Sequence, residues 1–438
     1  MKKKSLLSIL LAGLLMITLL AGCGASGTNQ TTAGDSGSGN NDSAGNNTEG
    51  EPVTIEFWNV FTGSDGDILR EIVDEFNATN TDNITVNMDI MPNDTLQQKL
   101  PASIATNTAP DLALFGVEYL APYVSNDSLE DISDFWEATG VDKDNFLENV
   151  LELSYIDGQL YGTPMQYNAG YLYWNKDLFE AAGLDPEKPP TTLDEMAEYA
   201  IRLTDTSKNQ YGLALPVNTT YMQFLWANGG DSNNPATGEN LLDSEENLAT
   251  LKWLQELTVN HGVTPMGITG PDADAMLQAG QIAMYMSGPW EINGLRENGI
   301  NFGVTSIPAG SKGAYSIAGG CSYVIPKGTD DAKREAAYKF MQYWLSDEVL
   351  KIWSQRNGFP VWSKTLMEDE EIQNDEILND ISKATEIGRS NNLGYALASQ
   401  IDNDVMFPMF EEVITGALTP EDALKKASEA MDKVLGSQ

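Results

Sequence analysis

The sequence predicts an α/β fold in two lobes, and three observations carry that expectation. From Glu51 onward, short apolar runs alternate with amphipathic stretches of helical period, the pattern of parallel strands covered by helices on both faces. At 438 residues the chain exceeds the roughly 250 to 300 at which a single hydrophobic core stops growing. Hydrophobic residues at 41% and charged residues at 20% supply core material and exclude wholesale disorder.

Taken in order, residues 53–58 read as a buried strand. After the turn at Gly63, Ser64 or Asp65 can cap a helix that places Ile68, Leu69, Ile72, Val73 and Phe76 on one face. Ile84, Val86, Met88 and Ile90 alternate as a strand, Leu96, Leu100 and Ile104 mark a second helix, and residues 111–115 form a third strand. Together these make a βαβαβ unit with right-handed crossovers. A second set begins with a strand at 170–174 and continues with helices at 192–203, 244–259 and 273–279 and strands near 212–215 and 281–286. A strand at 322–326 and helices at 330–345, 392–413 and 420–435 close the chain. Gly- and Pro-punctuated connections at 161–168 and 307–320 are the crossing points between lobes. Each lobe is then discontinuous: residues 53–166 with 322–362, and residues 167–321 with 363–438.

The N-terminus has its own chemistry. Lys2, Lys3 and Lys4 precede an apolar stretch at 6–21 that ends in Leu20-Ala21-Gly22-Cys23, a secretory signal peptide over residues 1–22 too short for a membrane span. Residues 24–50 offer no aromatic or branched aliphatic side chain to bury, so the segment 23–52 reads as a flexible linker. The Gly22-x-Gly24-x-x-Gly27 spacing opens no helix and is no dinucleotide site. With 25 Lys and Arg against 64 Asp and Glu, the formal charge of −39 repels nucleic acid and anionic membrane surfaces. Two cysteines, Cys23 and Cys321, exclude a disulfide framework and a Cys-rich metal site.

Five motifs then stand in a telling order: Ala109-Pro-Asp111 before a strand; Leu160-Tyr-Gly-Thr-Pro164 with Tyr173-Trp-Asn-Lys-Asp-Leu-Phe-Glu-Ala-Ala-Gly183; Gly280-Gln-Ile-Ala-Met284 leading to Ser287-Gly-Pro-Trp290; Ile317-Ala-Gly-Gly320; and Asn357-Gly-Phe-Pro-Val361. In this the chain resembles the extracellular solute-binding proteins of bacterial ABC importers, in the group of the maltose- and glycerol-3-phosphate-binding proteins. Leu20-Ala-Gly-Cys23 likewise resembles a lipobox, which implies that Cys23 becomes the lipidated first residue and anchors the protein to the outer face of the cell membrane. The family resemblance implies a periplasmic-binding-protein-like fold of type II, two α/β lobes joined by hinge strands and closing on a solute. It further implies a monomer that takes a carbohydrate, an oligosaccharide above all, to an ABC permease without changing it, with no cofactor and no metal.

Candidate ligand-binding residues follow from matching motifs. Trp290 falls where maltose-binding proteins stack an aromatic on sugar, Asn168 where they place a polar cleft residue, and Gly116 and Glu118 follow the Ala-Pro-Asp strand. Tyr221 sits in a segment similar to one lining the cleft, and Gly319 and Gly320 match a backbone-approach position of the glycerol-3-phosphate binder. The loop 59–67, with Thr62 and Asp65, lies beyond a strand's carboxyl end, where open α/β sheets bind ligands, yet it lacks the lysine of the maltose binder.

The residues themselves offer blander readings. Of nine tryptophans, Trp253, Trp344 and Trp353 lie within helical stretches and read as core, while Trp58, Trp226 and Trp290 adjoin polar or Gly-rich loops and are ligand candidates. His261, the one histidine, precedes Gly262 at a helix C-terminus and reads as a cap, and no G-x-S-x-G elbow is present. Acid clusters at Asp65-Gly-Asp67 and Asp402-Asn-Asp404 lack the calcium-loop pattern and read as solvated surface. A polyol phosphate such as glycerol 3-phosphate is the rival ligand. Six arginines are available to it, and Arg356 and Arg389 are the two outside the expected helices. From a different class, a secreted glycosidase remains open, because 64 acids supply carboxylate pairs of every spacing.

Overall fold

The computed structural model describes residues 51–391 and 394–436. The expected signal peptide, Cys23 and almost all of the expected linker lie outside the described residues. Strand β1 (Val53–Asn59) leads into helix α1 (Ser64–Thr79), strand β2 (Ile84–Ile90), helix α2 (Asn93–Ala105) and strand β3 (Leu112–Gly116). β1 pairs in parallel with β2 along its whole length and with β3 at Phe57 and Trp58, as a βαβαβ unit requires. The expected cap of α1 is corrected. Gly63 takes the cap position without a side-chain bond, and Asp65 instead accepts from the Gly66 N–H at 2.8 Å.

The second set runs through strand β4 (Thr163–Ala169), strand β5 (Tyr171–Asn175), helix α3 (Leu193–Leu203), helix α4 (Met222–Asn228) and helix α5 (Glu245–Gln255). It ends with helix α6 (Gly270–Gln278), strand β6 (Met284–Ser287), helix α7 (Glu291–Glu297) and strand β7 (Phe302–Thr305). Thr192 and Ser244 cap α3 and α5 through their hydroxyls, whereas α6 starts a turn before Ala273 because Thr269 and Asp272 form a capping box. The sheet here is antiparallel in the order β6-β5-β7. The strand expected at 212–215 is reduced to isolated bridges, because the N–H groups of Leu213, Ala214 and Leu215 turn in sequence to Val263, Met284 and Thr264. His261 ends the π-helical turn Glu256–Asn260, with Gly262 at φ 58°, so it caps a helix as expected.

The chain closes with strand β8 (Ser316–Val324), helices α8 (Asp331–Trp344), α9 (Asp347–Asn357) and α10 (Glu376–Ala384), strand β9 (Gly388–Arg389), and helices α11 (Phe407–Ile414) and α12 (Pro420–Leu435). The Gly-rich crossing segments are ordered strands. β4 and β8 run antiparallel with Asn168 opposite Gly319 and Tyr167 opposite Gly320, and the register shifts between Cys321 and Ser322. β8 also pairs with β9 and then with β3, giving a six-stranded sheet in which five strands follow the order β9-β8-β3-β1-β2 and β4 joins beside β8. A strand thus begins six residues before the expected 322, because pairing satisfies backbone groups that a loop would leave to water.

Two hydrophobic cores result. One gathers Phe57, Leu69, Phe115, Phe340, Trp344 and Trp353 around the large sheet, and the other gathers Trp174, Phe224, Trp226, Phe410 and Met431 around the smaller sheet and α11–α12. Trp344 and Trp353 are fully buried core residues, and Trp253 is half-buried against Phe224. Packing does not break at 362/363: Leu366, Ile372, Leu378 and Ile381 belong to the first core, while α10 also lies along β7.

Candidate functional site

Two cavities flank the crossing strands. The first, of about 480 Å3, is lined by Asn168 and Gly170 from the β4–β5 passage, Thr219, Thr220 and Gln223 around the start of α4, Asp274 of α6, Tyr285 and Ser287 of β6, and Trp290. The second, of about 300 Å3, is lined by Glu118 beyond β3, Gly319 of β8, Ser390 and Asn391 after β9, and Asp402 and Asn403. Thr220 and Ile317 line both, so the cavities adjoin along β8. Strand ends, helix starts and crossing strands meet here because each lobe's sheet turns its loops toward the other.

Trp290 is 54% exposed, unusual for an indole in a folded chain. Its ring folds back over Gly288, where a Cβ would stand 2.0 Å from the indole, so a side chain at that turn would displace the ring. Asn168 faces the same cavity. Gln223 is 7% exposed and its Oε1 has no protein hydrogen-bond partner, leaving an acceptor available at the cavity wall.

Glu118 and Gly319 meet in the second cavity. Protein crowds the Glu118 carboxyl although the cleft reaches it, and that desolvation pushes its pKa up, with its own backbone N–H opposing. Burial likewise raises Asp402 to about 6, and Asn391, which donates to its Oδ1 at 3.1 Å, opposes the shift. The surface reading of Asp402 is therefore corrected: it is half-buried on the π-helical turn Asp402–Met406. Gly116 sits opposite Cys321 and leaves room for the Glu118 carboxylate, which a Cβ there would meet at 2.3 Å.

Several expected residues lie elsewhere. Tyr221 is 2% exposed, stacks on Phe224 and donates its hydroxyl to the Pro216 carbonyl at 2.5 Å, so it is a core residue. Its neighbours Thr220 and Gln223 face the cavity, because the turn into α4 points Tyr221 inward. Trp226 is buried, donates to Asp231 at 3.0 Å and carries the Arg389 guanidinium over its ring at 4.4 Å. Trp58 is buried beneath Lys99, whose Nζ stands 3.9 Å from the ring centre. A Cβ at Gly320 would meet the Gln166 carbonyl at 2.3 Å, so this glycine serves strand packing. Thr62 and Asp65 line neither cavity. Burial pushes the Cys321 thiol up to about 12, with Glu118 and Asp65 adding to the shift, which keeps the thiol protonated.

Among the described residues, neither lining contains Lys or Arg. The two candidate cations are engaged elsewhere: Arg389 donates to Asp231 at 2.7 Å and Arg356 to Glu71 at 2.6 Å. What the cleft offers is carboxylate, amide and hydroxyl groups around one accessible indole.

Comparison with known proteins agrees with this geometry. The family model described as bacterial extracellular solute-binding protein matches residues 71–379. A binding protein of Brucella abortus strain 2308 is 27% identical over 392 residues, covering 86% of this chain and 91% of that protein. The sn-glycerol-3-phosphate-binding periplasmic protein UgpB of Pectobacterium atrosepticum is 27% identical over 329 residues, 70% of this chain and 72% of its own. An ABC transporter solute binding protein from Thermotoga lettingae TMO, crystallised with alpha-D-tagatose, superposes with a TM-score of 0.75 at 25% identity, covering 87% of this chain and 100% of that one. Two discontinuous α/β lobes on paired crossing strands, a cleft between them and a family match over most of the chain lead to one conclusion: the chain belongs to the bacterial extracellular solute-binding protein family.

Proposed function

We propose that the protein binds a neutral carbohydrate, an oligosaccharide spanning both cavities, and delivers it unchanged to the permease of an ABC importer. The observation that carries this reading is the lining, which has acids, amides, hydroxyls and a half-exposed indole but, among the described residues, no Lys or Arg. Sugar hydroxyls donate to carboxylates and amide oxygens while the apolar ring face lies on an indole. A phosphate dianion needs charge-assisted donors, usually Arg or Lys. The glycerol-3-phosphate reading is favoured by the names of several relatives and disfavoured by this lining. Closure of the lobes on ligand would let the permease distinguish loaded from empty protein.

Within the same reading, residues 53–166 with 322–362 and residues 167–321 with the C-terminal helices α11 and α12 are the lobes of a monomer that works outside the cell, and Leu366 to Ile381 side with the first core. Residues 1–22 are the signal peptide, Cys23 the lipid anchor and 23–52 the tether. Trp290, Asn168, Glu118 and Gly319, joined by Thr220, Gln223 and Asp402, are the ligand residues. The test is calorimetry against neutral oligosaccharides and glycerol 3-phosphate, with recovery of each compound afterwards. Micromolar or tighter binding of a neutral sugar that returns intact supports the proposal. Tighter binding of glycerol 3-phosphate than of every neutral sugar would reverse it, and sugar breakdown would make the protein a hydrolase.

A further inference from the structure

Beyond β4 and β8, the chain passes between the two cores once more. Ala384, at the end of α10, belongs to the first core and Ile401 to the second, so the chain changes cores after residue 384. The strand on this passage, β9, has two residues and pairs with Ser316 and Ile317 of β8. So short a ladder holds a segment weakly by itself. At its start the passage leans on β4, where the Tyr167 hydroxyl donates to the Thr385 carbonyl at 3.3 Å. Just after β9 it becomes a wall of the second cavity: Ser390 and Asn391 line it, and the Asn391 amide donates to Asp402 Oδ1 at 3.1 Å.

Between those two contacts stands Arg389. Its guanidinium lies over the Trp226 ring at 4.4 Å and donates to Asp231 Oδ2 at 2.7 Å, while Trp226 Nε1 donates to Asp231 Oδ1 at 3.0 Å. Cation, carboxylate and indole close a triangle in which each touches the other two. The receiving side is firmly held. Trp226 is packed in the second core, the Ser232 N–H donates to Asp231 Oδ1 at 2.9 Å, and buried Asn247 of α5 donates to the Asp231 carbonyl at 2.8 Å. A planar guanidinium that bonds a carboxylate and stacks on an aromatic face fixes orientation as well as distance. The side chains of the ion pair are 46% and 25% exposed, and pairs so open to water contribute little to the stability of a whole fold. The effect of this clamp is local, on the place of the residues that follow it.

We propose that Arg389 is a positioning residue for the cleft: clamped on Trp226 and Asp231, it holds Asn391 against Asp402 and so builds the wall of the second cavity that receives one end of the ligand. The inference rests on the carbohydrate reading for the nature of that ligand. Without the clamp, the side-chain bonds left to the passage here are single ones, from Tyr167 to Thr385 and from the Ser390 hydroxyl to the Ala318 carbonyl at 3.1 Å. Asn391 then loses its fixed place beside Asp402.

The experiment has two arms, and the first needs no ligand. Asn391 donates to the charged form of Asp402, so its bond holds down a carboxyl that burial raises to about 6. Glu118 shares the cavity with Asp402, and Asp404 shares its turn. Carbon-13 NMR of the side-chain carboxyls, on the whole protein, reads the Asp402 midpoint, and the signal is assigned by its loss in Asp402→Asn. Asn391→Ala should move that midpoint up by about half a pH unit to one, and Arg389→Gln should move it the same way. Added to Asn391→Ala, Arg389→Gln should move it no further, because the arginine acts through the amide. An unmoved midpoint in Arg389→Gln would overturn the proposal, and so would a further rise in the double variant, which would make the effect a direct one of charge. In the second arm, binding of maltotriose, maltotetraose and mannotriose is measured at pH 7 beside thermal denaturation. Arg389→Gln should stay folded and bind the sugars that wild type binds roughly tenfold more weakly. Unchanged affinity for all of them would refute a role in binding. If wild type binds none of the three, the carbohydrate reading fails, and the titration arm by itself decides whether Arg389 positions Asn391.

Discussion

Replacing Trp290 by alanine separates a ligand platform from a packing residue. With 54% of its surface exposed, the residue leaves 46% covered by protein, roughly 115 of the about 250 Å2 a tryptophan offers. At about 25 cal/mol per Å2 that cover contributes at most about 3 kcal/mol to folding, and nearer 2 once the compactness of the unfolded chain is allowed for. A sugar ring laid on the free face would cover roughly 70 Å2, about 1 to 3 kcal/mol with stacking included, or about ten- to a hundredfold in affinity. Trp344, with no exposure, is the control, since truncating it should cost about 3 to 5 kcal/mol of stability. Calorimetry of sugar binding at low temperature, paired with thermal denaturation, reads both quantities. A Trp290→Ala protein as unstable as Trp344→Ala, yet binding sugar with unchanged affinity, would refute the reasoning.

Tyr221→Phe should lower stability by about 1 kcal/mol through loss of the bond to Pro216 while leaving sugar affinity within about twofold, and a large loss of affinity in denaturation-controlled calorimetry would return Tyr221 to the site. Asp402 holds its proton in the folded state up to about pH 6 and releases it near 3.8 when unfolded, so its contribution is complete below pH 3.8 and lost as pH rises through 6. Asp402→Asn should therefore raise stability at pH 7 by on the order of 2 kcal/mol and leave it unchanged at pH 3.5, and equal effects at the two pH values would count against a desolvated carboxyl. Cys23→Ala should leave an unprocessed precursor or release the protein into the medium, and normal lipid labelling of the mutant would remove Cys23 as anchor.

The first five elements were legible because their signals are local. Ile84, Val86, Met88 and Ile90 alternate on a strand, Ile68 to Phe76 share a helix face, and each crossover is short enough to pair neighbours. Strands β4 and β8 were hidden for the opposite reason. Gly319 and Gly320 read as loop, and only Asn168 and Tyr167, some 150 residues away, make a strand of them. In the cleft, Trp290 and Asn168 lie on one cavity and Glu118 and Gly319 on the other, while Tyr221 missed by one position because a helix start reverses the facing of adjacent side chains. Trp226 adjoins a polar loop, but that loop's own Asp231 and the distant Arg389 close over it. Asp274 had no local mark among 64 acids, since only its place in the cavity wall distinguishes it, and the Asp402 cluster read as surface because the packing that half-buries Asp402 is not local.

Strand β8 also sets when the molecule can exist at all. Both β3, with its apolar Leu112–Phe115 edge, and β4 wait for residues 316–324 before their free edges are paired. A chain halted anywhere between would present two bare strand edges to its neighbours, the template for intermolecular pairing. Contacts so distant in sequence also close slowly, because the intervening loop must be ordered before any pairing rewards it. Fragments ending before 316 should therefore aggregate rather than fold as half-proteins, and the part of the chain that joins the lobes is also the part that ends its vulnerability during synthesis.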